Sequence, residues 1–207
     1  MFYDILDKKR LNILPLLKNF KKDFYLGGGT SLALQIGHRD SIDFDFFSKK
    51  DINTKIFFEQ LKEIFKGHKL INIQEEYNTL TILVDKTIKI SFFTHKYKLI
   101  KKINTENLSL ASIEDIGCMK LSATTGRASN KDYIDLYFIL KYFSLSDLLK
   151  KTYLKYPELE KNLILKSLIY FEDIALEKIL FKNNNDIPFE KIKEKLKNEV
   201  KKVSCKL

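Results

Sequence analysis

Asp43 and Asp45 are the residues of this chain best suited to chemistry. They lie two positions apart in a run, residues 41–47, in which polar and apolar side chains alternate. In a β-strand this alternation places both carboxylates on one face and the apolar side chains on the other. Neighbouring carboxylates repel each other, and a cation that prefers hard oxygen ligands, such as Mg²⁺, turns this repulsion into ligation. The pair is therefore a candidate metal site.

A glycine-rich turn precedes the acidic pair. Four of the seven glycines of the chain fall between Gly27 and Gly37. A glycine turn that opens a helix offers backbone N–H groups and a positive helix end to a phosphate. We therefore expect Gly28, Gly29, Thr30 and Ser31 to cradle the phosphates to which the metal also binds. The residues leave a second interpretation open, in which an ordinary tight turn leads into a solvated strand face.

The charge of the chain points to an anionic partner. The 37 basic and 27 acidic residues give a net charge of +10, which favours a polyanion or an anionic substrate. A lysine-rich genome would give the same composition. Three of the cations are arginines, and two of these, Arg39 and Arg127, lie in the motifs discussed here, where a planar, permanently charged group suits phosphate or carboxylate.

The cysteines and the hydropathy pattern predict a cytoplasmic protein. Cys118 and Cys205 are far apart and have neither a disulfide framework nor metal-ligand spacing. The N-terminus has no apolar signal-peptide region, and no apolar run approaches the length of a membrane span. We expect a soluble protein without a membrane partner.

The pattern of elements predicts an α/β (α+β) fold with two lobes, at residues 1–104 and 105–207. The first lobe carries a mixed sheet, and the second is helical. Apolar spacing predicts helices over 3–20, 51–65, 112–125, 131–143, 145–155, 157–181 and 188–203, and alternation predicts strands near residues 24–26, in the acidic run, and over 70–77, 80–84 and 87–93. The basic run 95–102 is expected to be an exposed loop.

A second group of charged residues lies in the helical lobe. It comprises Lys120, Arg127, Lys131, Asp132 and Asp135. On one helix Lys131 and Asp135 are four residues apart and Asp132 and Asp135 three apart, so we expect these three to share a face. A surface salt bridge is the simplest interpretation. The apolar residues around them favour a location near an interface between the lobes.

The chain resembles the AbiEii/AbiGii toxin family, a branch of the DNA-polymerase-β-like nucleotidyltransferases. The resemblance joins the Gly-Gly-Thr-Ser turn to the pattern Gly-His-Arg-x-Ser-x-Asp-x-Asp at residues 37–45, and it includes residues 115–137. A weaker likeness covers residues 168–175. The resemblance therefore implies that the first lobe is nucleotidyltransferase-like, with the active site in a cleft between the lobes.

The resemblance also implies a reaction and its residues. Asp43 and Asp45 would hold Mg²⁺ on a nucleoside triphosphate, and an acceptor hydroxyl would attack the α-phosphate as pyrophosphate leaves. Arg39, Ser41, Arg127 and Lys131 would bind the nucleotide, Lys120 would neutralise phosphate charge, and Asp132 or Asp135 would orient the nucleotide or act as a base. Family acceptors include RNA and tRNA ends, and a toxin–antitoxin or abortive-infection role implies a cognate antitoxin.

Ser91 departs from the pattern of this superfamily. Members often carry a third carboxylate on a strand after the acidic pair, and Ser91 occupies the matching place. A hydroxyl is a poor substitute at a metal, which argues for a single Mg²⁺ instead of a two-metal mechanism. It also leaves two other functions open: a degenerate fold that binds nucleotide or RNA without turnover, and an enzyme that adenylates a small molecule such as an antibiotic.

Overall fold

The computed structural model describes residues 1–174 and 176–205. The chain divides into two compact units, an α/β unit over Met1–Ser112 and a helical unit over Ile113–Leu207. The α/β fold with a helical C-terminal part is as the sequence predicts. None of the helices in the described ranges has the length and apolar character needed to cross a membrane.

A seven-stranded mixed sheet forms the α/β unit. The order is β3-β4-β5-β2-β1-β7-β6, and β2 pairs antiparallel with β1 and parallel with β5. The strands are β1 (Tyr25–Leu26), β2 (Phe44–Ser48), β3 (Leu70–Glu76), β4 (Thr79–Val84), β5 (Ile88–Thr94), β6 (Lys102–Asn104) and β7 (Ser109–Ala111).

An aromatic core packs against one face of this sheet. Phe44 and Phe46 of β2 are buried, and the Phe46 ring stacks on Phe92 of β5 with ring centroids 5.5 Å apart. Phe20 and Phe57 meet Phe92 edge-on, at centroid distances of 5.0 and 4.8 Å. Because side chains alternate along a strand, this core leaves residue 45 of β2 on the opposite face.

Two helices flank the sheet, and the predicted N-terminal helix is broken. Residues 3–20 form two 3-10 segments, Tyr3–Ile5 and Leu14–Phe20, around α1 (Lys8–Ile13). Asp7 starts α1 because its side chain accepts a hydrogen bond from the Arg10 amide. The other helices of this unit are α2 (Gly28–Ile36) and α3 (Thr54–Ile64).

The basic run 95–102 was predicted to be an exposed loop, and residues 95–101 lie outside helices and strands, with β6 beginning at Lys102. The sequence did not predict β6 and β7. Leu110 of β7 is fully buried and pairs in parallel with Leu26 of β1. The strands predicted over 70–77, 80–84 and 87–93 match β3, β4 and β5 within two residues.

Five helices lie in the described part of the helical unit, residues 113–174 and 176–205. The predicted helix over 157–181 was wrong, because regular helix ends at Ser167; Ala175, inside that range, lies outside the described residues. Asn130 accounts for part of this, since its side chain bonds both backbone groups of Glu177. The helices are α4 (Ile113–Thr124), α5 (Asn130–Ile139), α6 (Leu145–Lys155), α7 (Lys161–Ser167) and α8 (Phe189–Ser204).

Candidate active site

The acidic pair lies on the sheet face opposite the aromatic core. Asp45 is the second residue of β2 and pairs in register with Ser91 of β5. Asp43 precedes the strand, and its Oδ2 lies 3.6 Å from the Nζ of Lys89. Lys89 lies two residues before Ser91 and so shares its face. Both carboxylates therefore project from one side of the sheet, and both are partly exposed.

The expectation for Ile42 was wrong. The alternating pattern predicted a buried side chain, but 51% of Ile42 is exposed. The reason is that β2 begins only at Phe44, so the strand alternation does not extend back to residue 42.

The glycine turn packs directly against Asp45. The Gly27 amide donates to the Asp45 carbonyl over 2.9 Å. Gly28 begins α2 with φ +63°, and a Cβ at this position would lie 3.2 Å from Asp45 Oδ2. A glycine is required here on two counts, its left-handed backbone and the close carboxylate. The first turn of α2 thus brings its N–H groups, which have no acceptor within the helix, to the acidic pair.

Hydroxyl groups at the turn fix the backbone of Asp43. Thr30 Oγ1 lies 2.8 Å from Ser41 Oγ and donates to the Asp43 carbonyl. Since a hydroxyl has one proton to donate, Ser41 is the donor to Thr30. Ser31 is fully buried, and the Gln35 amide donates to its carbonyl over 3.0 Å and to its Oγ over 3.4 Å. These three side chains therefore bond within the protein, which leaves the backbone N–H groups as the candidate phosphate-binding groups of the turn.

Arg39 is buried beside the same turn. Its residue is 3% exposed, and its Nη1 donates to the Asp40 carbonyl over 3.0 Å. A Cβ on Gly29 would lie 2.5 Å from Arg39 Nη2, so the glycine makes room for the guanidinium. A permanent positive charge is thereby held next to the first turn of α2.

Ser91 lies directly beside the acidic pair, where the sequence placed it. It is 2% exposed, and the hydroxyl of Thr81 on β4 donates to its Oγ over 3.3 Å. Among residues 1–174 and 176–205, no three His, Cys, Asp or Glu side chains are grouped so that they could hold a metal. Asp43 and Asp45 supply two hard oxygen donors, and both residues are partly exposed, so they fit one Mg²⁺ completed by substrate oxygens and water.

A buried ionic cluster forms the centre of the helical unit. Lys120 Nζ of α4 lies 2.6 Å from Asp132 Oδ1 and 2.6 Å from Asp135 Oδ2, both on α5. The three side chains are 7%, 1% and 0% exposed. Burial raises the pKa of the Asp132 carboxyl, but the Lys120 ammonium and the Arg127 guanidinium outweigh burial, so this pKa lies below its usual value. We call these three residues the Lys120 triad.

Arg127 connects the triad to the surface. Its Nε and Nη2 donate to the two oxygens of Asp132, over 2.8 and 3.2 Å, while 65% of its side chain is exposed. The helical spacing predicted that Lys131 shares a face with Asp132 and Asp135. The structure differs, since Lys131 lies away from the triad. Its ammonium lies 2.6 Å from Glu177 Oε2 at the surface, and Asp135 instead bonds Lys120 across two helices.

Sequence reasoning missed a second buried ion pair. Lys155 Nζ of α6 lies 2.7 Å from Asp115 Oδ1 of α4, with side chains 2% and 0% exposed. The two residues are forty positions apart, so no local spacing could have linked them. The pair links α6 to α4, the helix that also carries Lys120 of the triad.

The family is shown by comparison with known proteins. A family model described as "Nucleotidyl transferase AbiEii toxin, Type IV TA system" matches residues 16–202, which include both the acidic pair and the triad. The chain belongs to the AbiEii family. The resemblance expected from the sequence is thereby confirmed, and the protein is a nucleotidyltransferase of a toxin–antitoxin family, which implies a cognate antitoxin.

This AbiEii protein is similar to a relative in sequence and to two solved structures that share its fold. An uncharacterized protein of Aquifex aeolicus is 38% identical over 162 residues, which cover 75% of this chain and 77% of the relative. The crystal structure of JHP933 from Helicobacter pylori has a TM-score of 0.63 and 23% identity, covering 98% and 94% of the two chains. MenT4, a nucleotidyltransferase toxin of Mycobacterium tuberculosis, has a TM-score of 0.60 and 14% identity, covering 92% and 82%.

Proposed function

We propose that this protein is a cytoplasmic, Mg²⁺-dependent enzyme that transfers a nucleoside monophosphate from an NTP to a hydroxyl group of RNA, such as a tRNA end. The observation that carries the proposal is the acidic pair on one sheet face beside the first turn of α2. The net charge of +10 supports a polyanionic acceptor.

Asp43 and Asp45 are the proposed metal ligands. A bound Mg²⁺ would neutralise phosphate charge and hold the triphosphate in one orientation. Lys89 balances the charge of Asp43 when no metal is bound, since its ammonium lies 3.6 Å from the carboxylate. The N–H groups of Gly28 and Gly29 would bind phosphate oxygens, assisted by the positive end of α2 and the buried Arg39.

Nucleotidyl transfer requires mainly positioning and charge neutralisation from the protein. The acceptor oxygen forms a bond to the α-phosphorus while the bond to pyrophosphate breaks and the hydroxyl proton leaves. Thr30 and Ser41 hold the Asp43 backbone rigid through their hydrogen bonds. A rigid ligand pair loses little free energy to reorganisation during the reaction.

Within the helical unit, Arg127 is a candidate phosphate-binding residue, since 65% of its side chain is exposed. Asp132 bonds two nitrogens of this guanidinium, and Lys120 and Asp135 fix Asp132 in turn. We assign Lys120, Asp132 and Asp135 a positioning role toward Arg127, because they are buried and because the lowered pKa of Asp132 makes it a weak base. Lys131, paired with Glu177 at the surface, would reach substrate only by leaving that partner.

Label transfer tests this function. The protein is incubated with each α-labelled NTP, Mg²⁺ and total RNA, and label on RNA is expected with at least one nucleotide. Asp43→Asn and Asp45→Asn keep the side-chain shape but remove the charge, so each should abolish transfer. Asp51→Asn is the matched control, because Asp51 is an exposed acid paired with Lys96 in the same unit. Transfer that survives both substitutions would overturn the proposal, and label on a small molecule would redirect the acceptor.

A second candidate function is nucleotide or RNA binding without turnover. The buried Ser91, in register with Asp45 where a third carboxylate would stand, favours it. Calorimetry separates the two functions. A binding protein would retain NTP affinity in Asp45→Asn and yield no product, whereas the enzyme should lose metal-dependent affinity together with transfer.

A further inference from the structure

A groove of about 630 Å³ lies within the helical unit, beside Arg127. Its walls come from the segment between α4 and α5 and from α7 with the residues that follow it. We call it the Tyr170 groove. Its main lining residues are Thr125, Arg127, Leu163, Lys166, Ile169 and Tyr170.

Hydrogen bonds fix the two walls of the groove relative to each other. Thr124 Oγ1 on one wall lies 3.0 Å from Ser167 Oγ on the other. The hydroxyl of the buried Tyr133 donates to the Ser167 carbonyl over 3.0 Å and lies 3.3 Å from the Tyr170 carbonyl. The groove is thus a preformed cavity, and its volume falls within the range of about 300–1,000 Å³ typical of ligand sites.

The walls of the groove are apolar and exposed. Leu163, Ile169 and Tyr170 are 46%, 42% and 48% exposed. Three large apolar side chains gathered in one concave site, instead of scattered over the surface, indicate that something binds there. Tyr170 adds a planar ring, whose hydroxyl is fixed by donation to Asp173 Oδ2 over 2.9 Å.

The charges at the groove are mainly positive. Arg127 is held in place by Asp132 yet 65% of its side chain is exposed, and Lys166 stands one turn from Leu163 on α7. Asp173 is the opposing charge, and its carboxylate accepts the Tyr170 hydroxyl. A planar apolar surface flanked by cations matches an unpaired nucleotide, whose base stacks on the ring while its phosphate meets the cations.

We infer that the Tyr170 groove binds unpaired nucleotides of the acceptor RNA. The inference rests on the proposed function, because it names where the acceptor strand of that reaction is held. The groove is separate from the acidic pair in sequence and chemistry, and no metal is needed for its occupancy. Single-stranded RNA is therefore expected to bind in the absence of both NTP and Mg²⁺.

The test measures binding of a short fluorescein-labelled single-stranded RNA to the full chain by anisotropy, in EDTA and without NTP. Tyr170→Ala should weaken binding about tenfold, as expected for loss of one stacked base, while Tyr170→Phe keeps the ring and should bind like the unmodified protein. Lys166→Gln should reduce the slope of log affinity against log salt by about 0.7, the value for one phosphate of a single strand.

Two matched variants control for general surface effects. Tyr142→Ala removes another exposed tyrosine of the helical unit, 58% exposed and outside the groove. Lys161→Gln removes a lysine from the start of the same helix as Lys166. Both controls should bind RNA unchanged. Circular dichroism and urea unfolding of every variant verify that the helical unit is folded.

Several results would overturn the inference. Equal losses in Tyr142→Ala and Tyr170→Ala would mean that RNA binds exposed aromatic rings irrespective of the groove. Unchanged binding in Tyr170→Ala and Lys166→Gln would exclude the groove. If Tyr170→Ala and Lys166→Gln instead weaken the binding of an acidic peptide and leave RNA binding unchanged, the occupant of the groove is an acidic protein. The binding assay contains neither NTP nor metal, so it remains informative even if the protein shows no label transfer. If label transfer is observed but the groove variants bind RNA normally, the groove inference is refuted and the proposed function is not.

Discussion

Replacing Gly28 by alanine tests whether the glycine turn positions Asp45. Gly28 has φ +63°, and the added Cβ would lie 3.2 Å from Asp45 Oδ2. The left-handed backbone costs an alanine about 1–2 kcal/mol. The methyl group must also move the carboxylate by a few tenths of an ångström, because 3.2 Å is shorter than ordinary contact between carbon and oxygen.

The two effects have different readouts. Strain should lower the free energy of unfolding in urea by about 1–2 kcal/mol. Displacement of Asp45 should lower kcat/KM for label transfer about 10- to 100-fold, since small errors in the position of a reacting group are costly. Mg²⁺ affinity, measured by calorimetry with a nonhydrolysable NTP, should fall as well.

Gly67→Ala is the matched control for Gly28→Ala. Gly67 also has a positive φ, +94°, but a Cβ there would meet nothing within 4 Å. It should show a comparable loss of stability with unchanged transfer. The reasoning is refuted if Gly28→Ala retains full activity, or if the two variants lose activity equally, because strain alone would then explain the effect.

Three further outcomes are expected. Lys120→Met should lower stability by about 3–5 kcal/mol, because it removes the buried ammonium that Asp132 and Asp135 share. Lys131→Met at the surface should cost under about 1 kcal/mol; urea unfolding of both variants at pH 7 decides this. The pKa of Asp132 lies below the ordinary value of 3.8 in the folded protein, so its ionised carboxylate stabilises the fold above pH 3.8, and this stabilisation is lost as the pH falls through the folded pKa. The free energy of unfolding, measured from pH 5 downward, should therefore fall more steeply in the unmodified protein than in Asp132→Asn. Ser91→Asp places a third carboxylate beside Asp45, so its Tm should fall in EDTA and recover with Mg²⁺ more than that of the unmodified protein, and equal recovery would count against a metal at this site.

The parts of the fold that the sequence predicts well are those determined by residues close together in the chain. Strands β3, β4 and β5 are short runs that contain apolar and β-branched residues and are separated by polar turns, which hold Asn78, Asp85 and Lys86 at positive φ, a conformation that polar turn residues tolerate. The acidic pair was found for the same reason, since alternation within β2 alone places Asp45 opposite Phe44 and Phe46.

Long-range pairing decided the parts that the sequence did not predict. Strands β6 and β7 have three residues each, too few for a visible alternation, and β7 is defined by its pairing of Leu110 with Leu26. Apolar spacing continued past Ser167, but the bonds between Asn130 and Glu177 give that backbone partners outside a helix. The partners of Lys120 are likewise determined by the packing of α4 on α5, which the spacing of residues within one helix does not reveal.

Strand β3 forms one outer border of the sheet, with β4 as its neighbour. An uncovered border of this kind invites strand addition by a second chain. Two features of β3 oppose such growth: its register shifts between Asn72 and Gln74, and the exposed Glu75 and Glu76 give it a negative rim. Two copies that meet along this border bring these like charges together, so neutralising Glu75 and Glu76 is expected to increase self-association.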